Sequence, residues 1–268
     1  MTLSRRDITA QLARIGRRPS RALGQNFVAD PNTVRKIAAL AGVDRASRVV
    51  EVGAGLGSLT MALLETGADV VAVEVDSHLV PLLRENAPAA RVVEADAMAL
   101  DWSTVLDDGD WALVANLPYN IATPLVADLL DGVPQLGRML VMVQLEVGQR
   151  LAAGVGDEQY GAVSVKVAYH ADAKIVGRVP PTVFVPQPNV DSALVSIVRR
   201  PSLGPPVDFG LVRAGFGQRR KMLRGALRGL VDEAVFECAG VAPTARAEEL
   251  DVAAWARLTQ CASSPRPS

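Results

Sequence analysis

Asn116-Leu117-Pro118-Tyr119 directly follows a short apolar run, Trp111-Ala112-Leu113-Val114-Ala115. Pro118 locks its own φ and pushes Leu117 into an extended conformation. The Asn116 side chain and the Leu117 carbonyl are thereby held in a rigid frame. The chemistry that suits such a frame is alkylation of an aryl amine. That amine is a poor nucleophile, because its lone pair is delocalised into the ring. An asparagine oxygen and a backbone carbonyl can accept its two N–H bonds, favour an sp³-like nitrogen and aim the lone pair. This is catalysis by positioning, for which effective molarities reach roughly 10⁵ M, with stabilisation of charge developing on nitrogen. Tyr119 can stack on a purine, a contact worth about 1–3 kcal/mol.

A methyl donor needs its own site. Val49-Val50-Glu51-Val52-Gly53-Ala54-Gly55-Leu56-Gly57-Ser58 reads as a buried strand, a glycine-rich turn and a helix start. Gly53, Gly55 and Gly57 let the backbone turn tightly and approach a ligand. A pyrophosphate cofactor calls for G-x-G-x-x-G. The spacing G-x-G-x-G, with Ser58 at the sixth position, favours a cofactor without pyrophosphate. Glu74 closes the next strand, where an acid can accept both hydroxyls of a ribose. Asp96 follows the third strand and can accept from the amino group of an adenine ring. Glycine loop and two acids on successive strands form the S-adenosylmethionine arrangement. Phe184 sits in Pro180-Pro181-Thr182-Val183-Phe184-Val185-Pro186-Gln187-Pro188. In that rigid loop it could form the second face of a base sandwich, although a lone phenylalanine also fits a core.

The elements that position these residues alternate. Strands are expected at 48–52, 70–75, 91–94, 112–115, 138–143, 163–170 and 194–198. Helices are expected at 32–41, 59–66, 78–87, 123–130 and 146–153. The fold class is therefore α/β, a βαβ architecture with seven strand candidates. The sheet is mostly parallel. The long Pro-rich connection before the last strand allows that strand to be antiparallel. Pro201, Gly204, Pro205 and Pro206 break the chain, and the pattern then turns helical at 211–216, 222–230, 247–250 and 252–258. The domain plan is a basic N-terminal extension (1–21), a catalytic domain (22–200), a small all-helical domain (208–262) and a Pro/Ser tail (263–268).

Composition narrows the partners. The chain has 268 residues, 49% of them hydrophobic, enough for a sizeable core plus a small appended domain. No apolar stretch reaches the roughly 18–20 residues that span a bilayer, and the N-terminus has no apolar signal-like region. Cys238 and Cys261 are the only cysteines, far from any C-x-x-C spacing, and His78 and His170 are the only imidazoles. This argues against a zinc site and for a reduced, cytoplasmic protein. Net charge is −1, but basic residues cluster. Arg5, Arg6, Arg14, Arg17, Arg18 and Arg21 face one acid, Asp7, in the first 21 residues. Arg213, Arg219, Arg220, Lys221, Arg224 and Arg228 face none in 212–231. Two such segments could bind a polyanion, and they read equally well as solvated helix faces.

The ordered set of motifs resembles the small-subunit ribosomal RNA adenine dimethyltransferases. The likeness starts at Leu23-Gly24-Gln25-Asn26-Phe27 and Glu51-Val52-Gly53. It continues through Glu74-Val75-Asp76, Asp96-Ala97-Met98 and Asn116-Leu117-Pro118-Tyr119-Asn120-Ile121. It ends with Phe184-Val185-Pro186-Gln187-Pro188-Asn189-Val190-Asp191-Ser192-Ala193 and Phe216-Gly217-Gln218-Arg219-Arg220-Lys221. The resemblance implies a Rossmann-like seven-stranded methyltransferase domain with an antiparallel last strand, then a small helical domain for rRNA, and dimethylation of two adjacent adenosines in a hairpin near the 3′ end of small-subunit rRNA. It implies an immature small ribosomal subunit as partner, no membrane, and a monomer. It assigns cofactor contacts to Asn26, Val28, Gly53, Gly55, Glu74, Asp96 and Asn116. Asn116, Leu117 and Tyr119 would hold the amine and Phe184 would stack on the base. Arg219, Arg220, Lys221 and Arg224 would contact phosphates, which adds salt dependence rather than sequence specificity. Val28 departs from the leucine common in the family. The alternatives are the related large-subunit rRNA methyltransferase of macrolide resistance, an assembly factor whose methylation is secondary, a transcription-linked protein that has lost activity, and a DNA adenine methyltransferase. The last would need a sequence-reading domain that the chain does not show.

Overall fold

A computed structural model of the chain describes residues 2–20 and 22–263. Arg21 and all but Ser263 of the expected tail lie outside them.

The elements run α1 (Arg5–Arg14), β1 (Phe27–Val28), α2 (Pro31–Ala41), β2 (Arg48–Val52), α3 (Ser58–Glu65), β3 (Asp69–Glu74), α4 (Val80–Asn86) and β4 (Arg91–Glu94). They continue with β5 (Trp111–Asn116), α5 (Ala122–Gly132), β6 (Leu136–Gln144), α6 (Leu145–Ala152), α7 (Ala162–His170), β7 (Ala171–Val179), β8 (Phe184–Val185) and β9 (Ser192–Arg199). The helices α8 (Phe209–Gly217), α9 (Leu223–Ala226), α10 (Glu233–Ala239) and α11 (Val252–Ser263) follow. Two compact units result. Among the described residues, one comprises 2–20, 22–148 and 174–199, the other 149–173 and 200–263.

The first unit holds a seven-stranded sheet in the order β4-β3-β2-β5-β6-β9-β7. From β4 to β6 the pairing is parallel, and β9 runs antiparallel to β6. The central strands are β-branched runs buried on both sides, as a parallel sheet covered by helices requires. Val49, Val50, Val70 and Leu113 are fully enclosed. A two-stranded antiparallel ribbon joins β1 to β8. Arg199, at the end of β9, donates to the carbonyls of Leu129, Leu130, Val133 and Leu136 at 2.9–3.2 Å. It thereby places a cation at the C-terminal end of α5, where the helix dipole favours one. The basic N-terminus is ordered as α1, capped by a reciprocal Ser4–Asp7 box. Its buried Ile8 and Leu12 pack with Leu56, Leu79 and Leu82.

The second unit has its own core, built from Tyr160, Leu211, Val212, Leu223, Leu227, Phe236, Trp255 and Leu258. The Tyr160 hydroxyl donates to the Leu250 carbonyl at 3.0 Å.

Two expectations are corrected. Residues 163–170 form helix α7, and the sheet takes Ala171–Val179 instead. The spacing of Val163, Val165 and Val167 mimics a strand. However, Ser164 Oγ accepts from the Gly161 N–H at 3.0 Å and donates to the Arg150 carbonyl at 2.5 Å, and Val165 joins the helical core. Packing overrides propensity there. The helical unit accordingly includes 149–173 as well as the chain after the break at 200–207. The cysteines are likewise not two reduced thiols. Cys238 of α10 and Cys261 of α11 form a disulfide, with Cα atoms 6.0 Å apart. Their separation of 23 residues hides a proximity that only helix packing creates. Among the described residues, no helix is long and apolar enough to cross a membrane.

Candidate active site

The order β4-β3-β2-β5 sets four carboxyl-terminal strand ends side by side, where ligands of open α/β sheets bind. Asp96 follows β4, Glu74 ends β3, Gly53 and Gly55 follow β2, and Asn116 ends β5. All of them line one cleft, together with Asn26, Val28, Leu117 and Tyr119. Seven expected cofactor residues and three of the four expected catalytic ones thus meet in one place.

The Glu74 carboxylate is held from three sides. Gly55 N–H donates to Oε2 at 2.6 Å, and the Val75 and Asp76 N–H groups donate to Oε1 at 3.0 and 2.8 Å. Burial pushes its pKa up, against the pull of these donors. Three of its roughly four acceptor sites are thereby used, and the one left on Oε2 can take a ribose hydroxyl. Gly55 has φ +58°, and a Cβ there would meet the Phe27 ring at 2.9 Å. The turn therefore needs glycine. Asp96 is exposed at the other end of the cleft, with Oδ1 accepting from Met98 N–H at 2.9 Å. The set of acceptors and the glycine cradle fit S-adenosylmethionine.

At the reacting end, Asn116 Nδ2 donates to the Asn26 carbonyl at 2.8 Å. Only the amide NH₂ can bond a carbonyl, so Oδ1 is the end left to accept from a substrate. Leu117 N–H donates to the Met142 carbonyl at 3.0 Å, which ties the tetrad to β6. The Tyr119 hydroxyl lies 3.0 Å from Ser192 Oγ. Burial raises the Tyr119 pKa, and the Ser192 bond opposes this, so the phenol is neutral at physiological pH.

A strap over residues 23–28 closes one side. Gly24 has φ +62°, and a Cβ there would lie 2.8 Å from Asn120 Oδ1 and 3.3 Å from Pro118 Cβ. Left-handed backbone costs an L-residue about 1–2 kcal/mol. Gly24→Ala is therefore expected to shift the strap and raise the cofactor Kd by about tenfold, or 1.4 kcal/mol. Isothermal titration checks this, and unchanged affinity would detach the strap from cofactor binding.

Sequence reasoning missed two residues in this cleft. Gln25 Nε2 donates to Asp76 Oδ2 at 2.9 Å, while its Oε1 accepts from Ser20 N–H at 2.7 Å. Burial pushes Asp76 up, but the bonds from Gln25 and His78 outweigh it and hold the carboxyl below its ordinary pKa. Glu51 is 2% exposed and accepts from Thr60 Oγ1 at 2.6 Å. Its pKa is pushed up to about 8 by burial, with Glu74 adding and Thr60 opposing. An acid inside an otherwise apolar strand was the available signal for Glu51. Gln25 stands in the Leu23-Gly24-Gln25-Asn26-Phe27 motif, but its partner is 51 residues away, so the bond to Asp76 leaves no local pattern.

Phe184 is corrected. Its ring is 0% exposed, packed in the core with Val28, Val34, Ile37, Met142 and Leu194, and it does not line the cleft. Alternation on the short β8 strand explains this. Phe184 pairs with buried Val28, and the partly exposed Val185 takes the other face. In the helical unit, Arg219, Arg220, Lys221 and Arg224 are all exposed. Arg219 is already engaged, with Nε on Glu248 Oε2 at 2.6 Å and NH2 on the Glu158 carbonyl at 2.7 Å.

The fold and cleft define a Rossmann-like methyltransferase. The family described as ribosomal RNA adenine dimethylase matches residues 17–263. Curated relatives named ribosomal RNA small subunit methyltransferase A include that of Cutibacterium acnes, 48% identical over 92% of this chain and 89% of its own. That of Thermobifida fusca is 47% identical, covering 95% and 94%. Among solved structures, a dimethyladenosine transferase from Plasmodium falciparum is similar, with a TM-score of 0.71 and 25% identity, covering 85% of this chain and 94% of that one. The 23S rRNA methyltransferase ErmE reaches 0.66 at 25% identity, covering 89% and 100%. The chain belongs to the ribosomal RNA adenine dimethylase family and is an S-adenosylmethionine-dependent enzyme.

Proposed function

We propose that this protein dimethylates the exocyclic amines of two adjacent adenosines in the hairpin near the 3′ end of small-subunit rRNA. It acts as a monomer, in the cytoplasm, on a partly assembled small subunit. The observation that carries the chemistry is the Asn116 amide, tied by its NH₂ to the Asn26 carbonyl so that Oδ1 is left as an acceptor. The choice of the small subunit is supported by relatives bearing that name at 47–48% identity over nearly the whole chain.

Glu74, Asp96, Asn26, Gly53 and Gly55 would hold S-adenosylmethionine, with Val28 as an apolar contact. When bound, it supplies a methyl group on a sulfonium, an excellent leaving group, so no strong base is needed. Asn116 Oδ1 and the Leu117 carbonyl accept the two amine N–H bonds and direct the nitrogen lone pair. Tyr119 offers its ring to the base. Arg220, Lys221 and Arg224, with Arg219 where its ion pair opens, contact rRNA phosphates without reading sequence.

The test is transfer of labelled methyl from the cofactor to under-methylated small subunits, with mass mapping of the RNA. Two neighbouring dimethyladenosines are the expected product. Labelling of protein-free large-subunit rRNA instead would make the enzyme a relative of the macrolide-resistance methyltransferases. Absence of transfer to either would leave an assembly factor.

A further inference from the structure

Tyr119 is half-buried in the cleft, on the turn between Pro118 and α5. Its hydroxyl meets Ser192 Oγ across 73 residues of sequence. Ser192 is 0% exposed and opens β9, where it pairs with Gln144 of β6. The adjoining Asp191 carbonyl accepts from Leu145 N–H at 2.9 Å. The serine is therefore mounted on the sheet, whereas Tyr119 sits on a turn. A buried hydroxyl deprived of a partner is costly, and each of these two satisfies the other. Leu117 is also bonded to β6. The Leu117 backbone and the aromatic ring are thus referenced by separate bonds to two paired strands, β6 and β9.

A tyrosine ring turns about two torsions, and its tip moves most when either relaxes. We propose that Ser192 is a positioning residue for methyl transfer: its hydroxyl fixes the plane of the Tyr119 ring, and with it the angle at which the target amine reaches Asn116 Oδ1. This rests on the adenine-methylating reading above. Ser192 touches neither substrate nor cofactor; it acts through Tyr119. Loss of the bond leaves the cofactor acceptors untouched, so its signature is a lower kcat with unchanged cofactor affinity.

The experiment uses the full-length protein and under-methylated small subunits. Ser192→Ala, Tyr119→Phe and the double variant each remove only oxygen atoms. Each single variant is expected to lower kcat by about ten- to a hundredfold, the scale of a small misplacement. Cofactor Kd and the RNA KM stay within about twofold, and the double variant is no slower than the slower single one, as for two changes that delete one bond. Ser192→Thr restores most of kcat. Independent, multiplying losses would overturn the proposal, as would a fall in kcat that tracks a lower Tm and is not rescued by threonine. Wild-type kcat in Ser192→Ala beside an active wild type would overturn it and leave adenine methylation standing. An inactive wild type would overturn the adenine-methylating function itself.

Discussion

Asn116→Ala is expected to lower kcat for methyl transfer by about 10²–10³-fold, the scale seen when one preorganised partner of a transition state is removed. The cofactor Kd should rise by less than about tenfold, since a single hydrogen bond contributes about 0.5–1.5 kcal/mol. The split follows from the two ends of one amide. Nδ2 holds the Asn26 carbonyl, and with it the strap that lines the cofactor cleft. Oδ1 is the end available to the amine. Alanine removes both, but Glu74, Asp96 and the glycine turn remain. Asn116→Asp separates the roles further. It retains acceptor oxygens and loses the donor, so a carboxylate would face the Asn26 carbonyl. Strap contact and turnover should both fall. Single-turnover kinetics and calorimetry on the same preparations measure the two quantities, and near-wild-type turnover in Asn116→Ala would remove the residue from the chemistry.

The cleft was legible because its residues are tied to strand ends. The glycine turn, Glu74, Asp96 and Asn116 each follow a buried β-branched run, so finding the strands placed the ligand groups. The antiparallel β9 was legible for the same reason, from the missing crossover before it. What stayed hidden depends on contacts between distant segments. The Gln25–Asp76 and Tyr119–Ser192 bonds span 51 and 73 residues. Neither leaves a local pattern. The strand expected at 163–170 failed differently. Its valines carry a genuine period of two, and Ser164 with the core of the second unit outweighs it. Cys238 and Cys261 were read as separate thiols because spacing says nothing about which helices pack together.

Phe184→Ala is expected to destabilise the first unit by about 3–5 kcal/mol, the range for truncating a buried aromatic ring. The resulting fall in Tm is on the order of 10 °C for a unit of this size. The ring belongs to one core cluster with Val28 of β1, Val34 and Ile37 of α2, Met142 of β6 and Leu194 of β9, so the void would open in the core that the ribbon shares with the sheet. Arg5 donates to the Phe184 carbonyl at 3.2 Å and to the Thr182 carbonyl at 2.7 Å. The backbone is therefore pinned from α1 while the side chain is pinned from the core. Reaching a base would require the ring to leave this site and expose the apolar surface that it covers. Phe184→Leu discriminates between the two roles. A branched aliphatic side chain fills much of the same volume but offers no π-face. Stability and turnover both close to wild type in Phe184→Leu is the outcome expected of a core residue. Turnover lost at unchanged Tm would instead return the ring to the substrate.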